Sequence, residues 1–445
     1  MKKISIIILQ LVAIASVLGA QDIDLAGAFS DLSGSADSSA IPVPGAPEAV
    51  AVSETAQPKA SYKWLVLVFL TGTNDLGILN YAAKDVNEME KVGSTDKVAV
   101  VVEYNALTQN GGDLQFQRGA KTLFITKDND INAINSTVID PNQPGDMGSW
   151  KHLSIFARKN IARFKPEKVM LIVWNHGSGR LGIAFDDVSK NHMEVNQLGM
   201  ALKQIGRRID IFATDACLMQ MASVVHELKD SADVILGSQE VIPGPGFPYD
   251  DLIGILDSND SADGAASAFV DAYYAAYQNG KAGGYAIGNK KHTLSAIKAG
   301  KAASFSKDLS DWAEAAMAKE EDFATISSET YTESAFYFGS SGLAEAGLRS
   351  VDLVDYLSSV KDRIKDESLK EKTEKAISSA KGMIINSKAG NGTNKQGLNY
   401  NAHTNGVSIY LPLLRYNANN YEKMSFTKDT KWDDFLRKLL SRRGN

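Results

Sequence analysis

The chain predicts an α/β fold, a mostly parallel sheet covered by helices on both faces. Three observations carry that expectation. Short runs of Val, Ile, Leu and Phe recur through the first two thirds of the chain, near-continuous as in strands buried on both faces. Stretches with helical spacing separate them, so the order of elements reads βαβα. The 445 residues are 44% hydrophobic and 22% charged, enough for a large core and unlike a disordered or membrane-embedded chain.

Strands are expected at residues 63–70, 97–104, 168–174, 208–213 and 233–237, and helices at 76–91, 149–164, 195–205 and 218–229. Residues 111–125 read instead as an inserted hairpin carrying Leu114, Phe116, Leu123 and Phe124. Past about residue 260 the pattern changes to long Ala- and Lys-rich helices at 262–278, 294–319 and 351–381. An aromatic stretch at 331–338 interrupts them, and a late strand at 406–411 is ended by Pro412. The expected division is an α/β domain over 61–260 and a helix-rich C-terminal subdomain over 261–445. No internal repeat is found.

The N-terminal 20 residues have the layout of a cleaved signal peptide. Lys2 and Lys3 precede a mostly apolar run at 4–19, and small residues at Gly19-Ala20 lead into polar Gln21-Asp22. The run is short for a membrane span and is broken by Ser5, Gln10 and Ser16, so no stable membrane insertion is expected after cleavage. Residues 21–60 are rich in Ser, Ala, Pro and Gly and hold few large apolar residues, as in a flexible linker or pro-segment. The mature chain is therefore expected outside the cytoplasm, whether secreted, periplasmic or on the cell surface. A formal charge of −6 with scattered Lys and Arg gives no electrostatic basis for nucleic-acid binding.

Cys217 is the only cysteine, so the chain has no intramolecular disulfide. In an exported protein such a residue is an intermolecular link, a free thiol with a task, or a small buried hydrophobe. Its neighbours favour a task. The strand expected at 168–174 runs into Asn175-His176-Gly177-Ser178-Gly179, and the one at 208–213 into Thr214-Asp215-Ala216-Cys217. Sites in open α/β sheets form beyond the carboxyl ends of strands, which puts His176 and Cys217 on one rim. A thiolate attacks a carbonyl, and a nearby imidazole moves the proton to the leaving amine. A helix expected to begin at once after Cys217 would lower the thiol pKa through its positive dipole end. Gly177 lets its backbone N–H approach a substrate, and with the N–H of Cys217 it would form an oxyanion hole. Seen singly, a histidine at a strand end or a cysteine beside a helix is more often structural. Two buried strands each ending in half of a dyad are not readily explained that way.

Trp174-Asn175-His176-Gly177-Ser178-Gly179 and Thr214-Asp215-Ala216-Cys217-Leu218-Met219 resemble the His and Cys boxes of clostripain-like peptidases, relatives of the caspase and gingipain fold. Leu70-Thr71-Gly72-Thr73-Asn74-Asp75-Leu76 resembles that family's first strand-to-helix turn, and Asp146-Met147-Gly148-Ser149 its helix entry before the His strand. Pro243-Gly244-Pro245-Gly246-Phe247-Pro248-Tyr249, Gly406-Val407-Ser408-Ile409-Tyr410-Leu411-Pro412 and Lys431-Trp432-Asp433-Asp434-Phe435-Leu436 resemble its Pro-Gly loop, late strand and last helix. The likeness spans roughly residues 62–440.

The resemblance implies a caspase-like fold and a His–Cys dyad cutting protein or peptide substrates, commonly after Arg or Lys. It gives Asp215 a place in the pocket for a basic P1 side chain; read from sequence alone, Asp215 is equally a helix N-cap. Where the family often has a second pocket acid, this chain has Pro245, and Glu240 is the nearby candidate to compensate. Relatives made as latent precursors are cut between the two boxes, and the polar stretch 185–193 offers Lys190 for such a cut; an ordinary surface loop is the alternative. No cofactor is required. Calcium helps some relatives, and Asp186-Asp187 or residues 128–130 carry oxygen ligands, but without EF-hand spacing. Two other functions fit the same residues: a non-catalytic binding protein on a peptidase fold, and a transpeptidase using the dyad. His226-Glu227 lacks the second histidine of a zinc-peptidase motif, and His152, His192, His292 and His403 are given no role. Walker, Rossmann and G-x-S-x-G signatures are absent.

Overall fold

The structure is a computed structural model. It describes residues 61–441 except 111–112, 117–118, 282–290, 320–322, 324, 328, 330–336, 340–348, 395–396 and 413–414. The expected signal peptide and linker, and most of the aromatic stretch at 331–338, lie outside the described residues.

The first half of the chain builds a central sheet from β1 (Trp64–Gly72), β2 (Val98–Asn110), β3 (Asp113–Phe116), β4 (Ala120–Phe124), β5 (Thr137–Gln143) and β6 (Lys168–Trp174). A two-stranded hairpin follows, β7 (Ile183–Asp186) and β8 (Asn191–Met193), and then β9 (Ile209–Asp215) and β10 (Ala232–Gly237) return to the sheet. From the C-terminal half come β11 (Thr293–Lys298) and β14 (Ile384–Ala389), while β12 (Tyr337–Phe338), β13 (Ser350–Asp352) and β15 (Ser408–Tyr410) form a small separate sheet. The main sheet has the order β14-β11-β10-β9-β6-β1-β2-β4-β5, with β3 paired to β2. Its centre, from β10 to β2, is parallel, and both wings are antiparallel.

Alternation along β1 divides the core. Trp64, Val66, Val68 and Leu70 face one side, and Leu65, Leu67 and Phe69 the other. The first face is covered by α1 (Asp75–Ile78) and α2 (Tyr81–Glu90), and by α6 (Tyr249–Ser258) and α7 (Ala262–Asn279). The second is covered by α3 (Trp150–Phe164), α4 (Val195–Ile205) and α5 (Ala222–Leu228). The same core continues into α8 (Ala302–Ala318), α9 (Leu353–Arg363), α10 (Glu367–Met383) and α11 (Trp432–Ser441), where Trp312 packs on Trp432 and Phe435. The pattern change near residue 260 thus falls between two helices on one sheet face, and the C-terminal half returns two strands to the sheet.

Five expectations are corrected. The helix expected at 351–381 is the end of β13 followed by two helices, α9 and α10, because the Asp366 side chain caps a new start by accepting from the Leu369 N–H. The helix expected at 76–91 is two helices, because Asn80 adopts a left-handed backbone with φ 64°. A β-carbon at Gly77 would overlap backbone of Gly72 and Leu107, so α1 is wedged between the ends of β1 and β2. Residues 111–125 are not a self-paired hairpin, since β3 and β4 each pair with β2. The helix expected at 294–319 opens as strand β11, whose first five residues are all buried as an inner strand requires. Finally, no helix starts at Cys217, as the site makes clear.

Candidate active site

Strands β6 and β9 lie side by side and in register, with Trp174 opposite Asp215. The Asn175 N–H donates to the Asp215 carbonyl at 3.2 Å, and each chain then runs one residue further, to His176 and beyond Ala216 to Cys217. The two loops touch at Gly177: a β-carbon there would overlap the Cys217 carbonyl oxygen and sit 3.0 Å from the Ala216 and Met219 side chains. Sheet register, rather than any local motif, brings the histidine and cysteine loops together.

The imidazole has a partner that sequence reasoning gave no role. His176 Nε2 lies 2.7 Å from Oδ1 of Asp75, the first residue of α1. Burial acts to raise the Asp75 pKa, but the hydrogen bond and charge of His176, with the Asp75 and Leu76 amides, outweigh it and hold the carboxyl below its ordinary value. Asp75 is therefore a carboxylate that accepts the Nε2–H of His176, and this leaves Nδ1 as the second ring nitrogen. His152 with Glu103 and His226 with Asp429 are also histidine–carboxylate pairs at 2.7 and 2.9 Å. Those histidines are 3–4% exposed, and a further pair, His403 with Asp355 at 3.1 Å, is 28% exposed; His176, at 18%, is the one of these that follows a strand of the central parallel sheet. The signal for Asp75 was available: a carboxylate following β1, the neighbour of β6, belongs to the same rim.

Around the thiol the structure departs from expectation. Leu218 takes a left-handed φ of 64°, and the helix begins only at Ala222. Between them the chain is held extended, the Leu218 N–H donating to Glu240 O at 3.2 Å and the Gln220 N–H to Ser238 O at 2.9 Å. The thiol therefore does not sit on a helix N-terminus, and Asp215 is no N-cap. Cys217 is 9% exposed and packs with Leu218, Phe338, Ala389 and Tyr400. Burial pushes the thiol up to about 12; the Ile242 N–H, 3.4 Å from Sγ, opposes this, and the charges of Glu240 and Asp215 add to it. Desolvation wins, and in this state Cys217 is a neutral thiol at neutral pH.

Asp215 is buried beneath the Pro-Gly loop. Its Oδ2 accepts from the Phe247 N–H and the Tyr249 hydroxyl, both at 3.0 Å. Burial still raises its pKa to about 7, against those two donors and with the Glu88 charge adding. A second carboxylate stands next to it. Asp85 accepts from Trp174 Nε1 at 2.6 Å, and burial together with the charges of Asp215 and Glu88 raises it well above the ordinary range. Both carboxylates crowd the α-carbon of Gly246, which has φ +66° and whose missing β-carbon would lie 2.8 Å from Asp215 and 3.3 Å from Asp85. Asp85 lies on the buried stripe of α2 with Ala82, Val86 and Met89, and a carboxylate in such a stripe was the sequence signal for it.

Glu240 does not reach this acid pair. Its Oε1 accepts from the Val241 and Gly339 amides at 2.8 and 3.2 Å, and its Oε2 from the Tyr400 hydroxyl at 2.7 Å. With both oxygens committed, it braces the segment beside Cys217 against the C-terminal half.

Lys190 stands at the exposed tip of the β7–β8 hairpin with φ 59°. The base of that hairpin is tied to the site from two sides. The Asn74 amide donates to Phe185 O at 2.8 Å, and the Phe185 N–H donates to Asn175 Oδ1 at 2.7 Å. Asp186 accepts from the Met147, Val188 and Ser189 amides and so folds the tip rather than standing open to a cation. Among the described residues no group of three His, Cys, Asp or Glu is placed to hold a metal ion.

The architecture is that of a class of solved cysteine proteases. A secreted C11 cysteine protease from Bacteroides thetaiotaomicron, solved with an irreversible peptide inhibitor, matches with TM-score 0.60 at 20% identity, over 84% of this chain and 100% of that one. An inactive zymogen C11 protease from Parabacteroides distasonis matches with TM-score 0.60 at 18% identity, over 84% and 99%. The profile of the clostripain family covers residues 68–438, and the chain belongs to that family. Clostripain of Hathewaya histolytica is 31% identical over 126 residues, which are 24% of this chain and 24% of that protein. The chain thus matches about a quarter of the length of that curated relative.

Proposed function

We propose that the chain is an exported cysteine endopeptidase in which Cys217 attacks the peptide carbonyl and His176 moves the proton. The observation that carries this is the register of β6 and β9, which ends both strands at one rim, with Asp75 fixing the imidazole from the next strand. Asp75 holds Nε2–H, so Nδ1 serves the thiol and then the leaving amine. The amides of Gly177 and Cys217 hold the oxyanion, a contribution of about 3 kcal/mol per donor. Substrates are proteins or peptides, and export rests on the basic, apolar and small-residue layout of residues 1–20.

Asp215 and Asp85 form the floor of the P1 pocket. A Lys or Arg side chain between them would favour ionisation of both and use the charge that burial now suppresses. Entry requires the loop at 243–249 to move, since Phe247 and Tyr249 hold Asp215. The described state is latent because its thiol is buried and neutral. Cleavage after Lys190 releases a hairpin whose base is bonded to the neighbours of Asp75 and His176, and this links the cut to the dyad.

The test is hydrolysis of fluorogenic peptides ending in Arg, Lys, Ala or Asp by wild type and Cys217→Ala, before and after cleavage at Lys190. Activity on Arg or Lys peptides that vanishes in the variant supports the whole reading. Activity on other P1 residues keeps the nucleophile and removes the acid pair from its role. Silence throughout favours the second reading, a binding protein on a peptidase fold, for which the buried thiol speaks.

A further inference from the structure

Arg180 follows the His176 loop, in the single 3-10 turn Gly179–Leu181, and its side chain is 2% exposed. Among the described residues no carboxylate pairs with it. Its Nη1 donates to Asn419 O at 2.5 Å, the guanidinium also hydrogen-bonds the Tyr410 side chain, and it lies over the rings of Tyr410 and Tyr421, at 4.4 and 5.7 Å. The remaining donors, Nε and Nη2, have no partner. They are the two N–H groups on one edge of the guanidinium, the fork that takes an anion side-on. The hydroxyls of Tyr416 and Tyr421 are also buried without a partner, and their rings are 6.4 Å apart. Burial keeps both hydroxyls protonated, with Tyr416 pushed up to about 12, so both are neutral donors and neither offsets the charge of the arginine.

A buried guanidinium without a counter-charge is strongly unfavourable, and each unmet donor adds to that. A buried cation with two unmet nitrogens, electrostatically coupled to two tyrosines whose hydroxyls are also unmet, calls for an acceptor that carries negative charge. We propose that Arg180 Nε and Nη2, with the Tyr416 and Tyr421 hydroxyls, bind one small monovalent anion, chloride. The anion ties the loop after His176 to residues 416–421 of the C-terminal half.

The experiment is thermal unfolding of the full chain in sodium chloride and in sodium gluconate at equal ionic strength, for wild type and the double variant Tyr416→Phe, Tyr421→Phe. A saturable rise in Tm with chloride and not with gluconate is expected. In the variant, which keeps both rings, the midpoint of that rise moves to at least about tenfold higher chloride, as the loss of one or more hydrogen bonds to an ion predicts. Equal Tm in the two salts for wild type overturns the proposal. Should the variant not fold, bromide-soaked wild-type crystals decide. An anomalous peak within hydrogen-bond reach of Arg180 Nε and Nη2 supports the site, and its absence, as with a water molecule there, overturns it.

Discussion

Oδ1 of Asp75 lies 2.7 Å from Nε2 of His176 and joins the start of α1 to the loop after β6 across 101 residues of chain. The pair fixes which imidazole nitrogen faces the reaction. Asp75→Ala and Asp75→Asn are both expected to lower kcat about 10²-fold or more with little change in KM, because a neutral amide neither fixes the tautomer nor stabilises the imidazolium. Steady-state kinetics on one peptide check this. Equal losses in KM for both variants would mark Asp75 as a binding residue.

Gly177 tests whether the dyad depends on loop apposition. Ala at this position collides with the Cys217 carbonyl and pushes the two loops apart. Gly177→Ala should fold with a Tm near wild type, because the clash lies on the rim rather than between strands, yet lose most activity. A misplacement of about 1 Å at such a site costs on the order of 10²-fold. Tm and kcat measured on the same preparation separate the two effects.

Asp215 gives stability a pH dependence of unusual sign. The unfolded side chain ionises near 3.8, whereas the folded one keeps its proton up to about 7. Between those values the folded state binds more protons, so this group's stabilising contribution is full below pH 4, declines as pH rises to about 7 and is flat above. Asp215→Asn retains an acceptor for the Phe247 N–H and the Tyr249 hydroxyl and removes that decline. Urea unfolding between pH 4 and 8 should show a shallower fall for the variant. A fall as steep as in wild type would mean that Asp215 ionises normally.

The buried thiol predicts slow chemistry before activation. Alkylation of Cys217 by iodoacetamide in the intact chain should keep accelerating to pH 10 without a plateau, as a thiol near 12 requires. After cleavage at Lys190 the rate at pH 7 should rise at least about tenfold. An unchanged rate would separate the hairpin from the state of the thiol.

The parallel sheet was legible because its strands are buried on both faces, so β1, β6, β9 and β10 stand out as apolar runs. His176 and Cys217 were legible because they end two of those runs. The structure of the Cys217 loop was not, because an apolar stretch from Leu218 reads as helix, while backbone bonds to Glu240 and Ser238 hold it extended. Asp75 and Asp85 had a sequence signal in their places after β1 and on the buried stripe of α2, but their roles depend on partners 101 and 89 residues away, a relationship set by strand order rather than by spacing. Thr293–Lys298 misled in the other direction, since a short strand beside an Ala-rich helix has the composition of that helix.

The β6–β9 ladder has a further consequence. It runs through the middle of the sheet, and the tip at Lys190 lies on the chain between its two strands. A cut there leaves one piece ending in β7 and another starting at β8, zipped together by the central ladder and by a continuous core. The nicked molecule is then an obligate heterodimer born from one polypeptide, a single particle in sedimentation and two bands in detergent. Its halves obey mass action on dilution, yet an interface made of the central ladder and the continuous core keeps them together at ordinary concentrations.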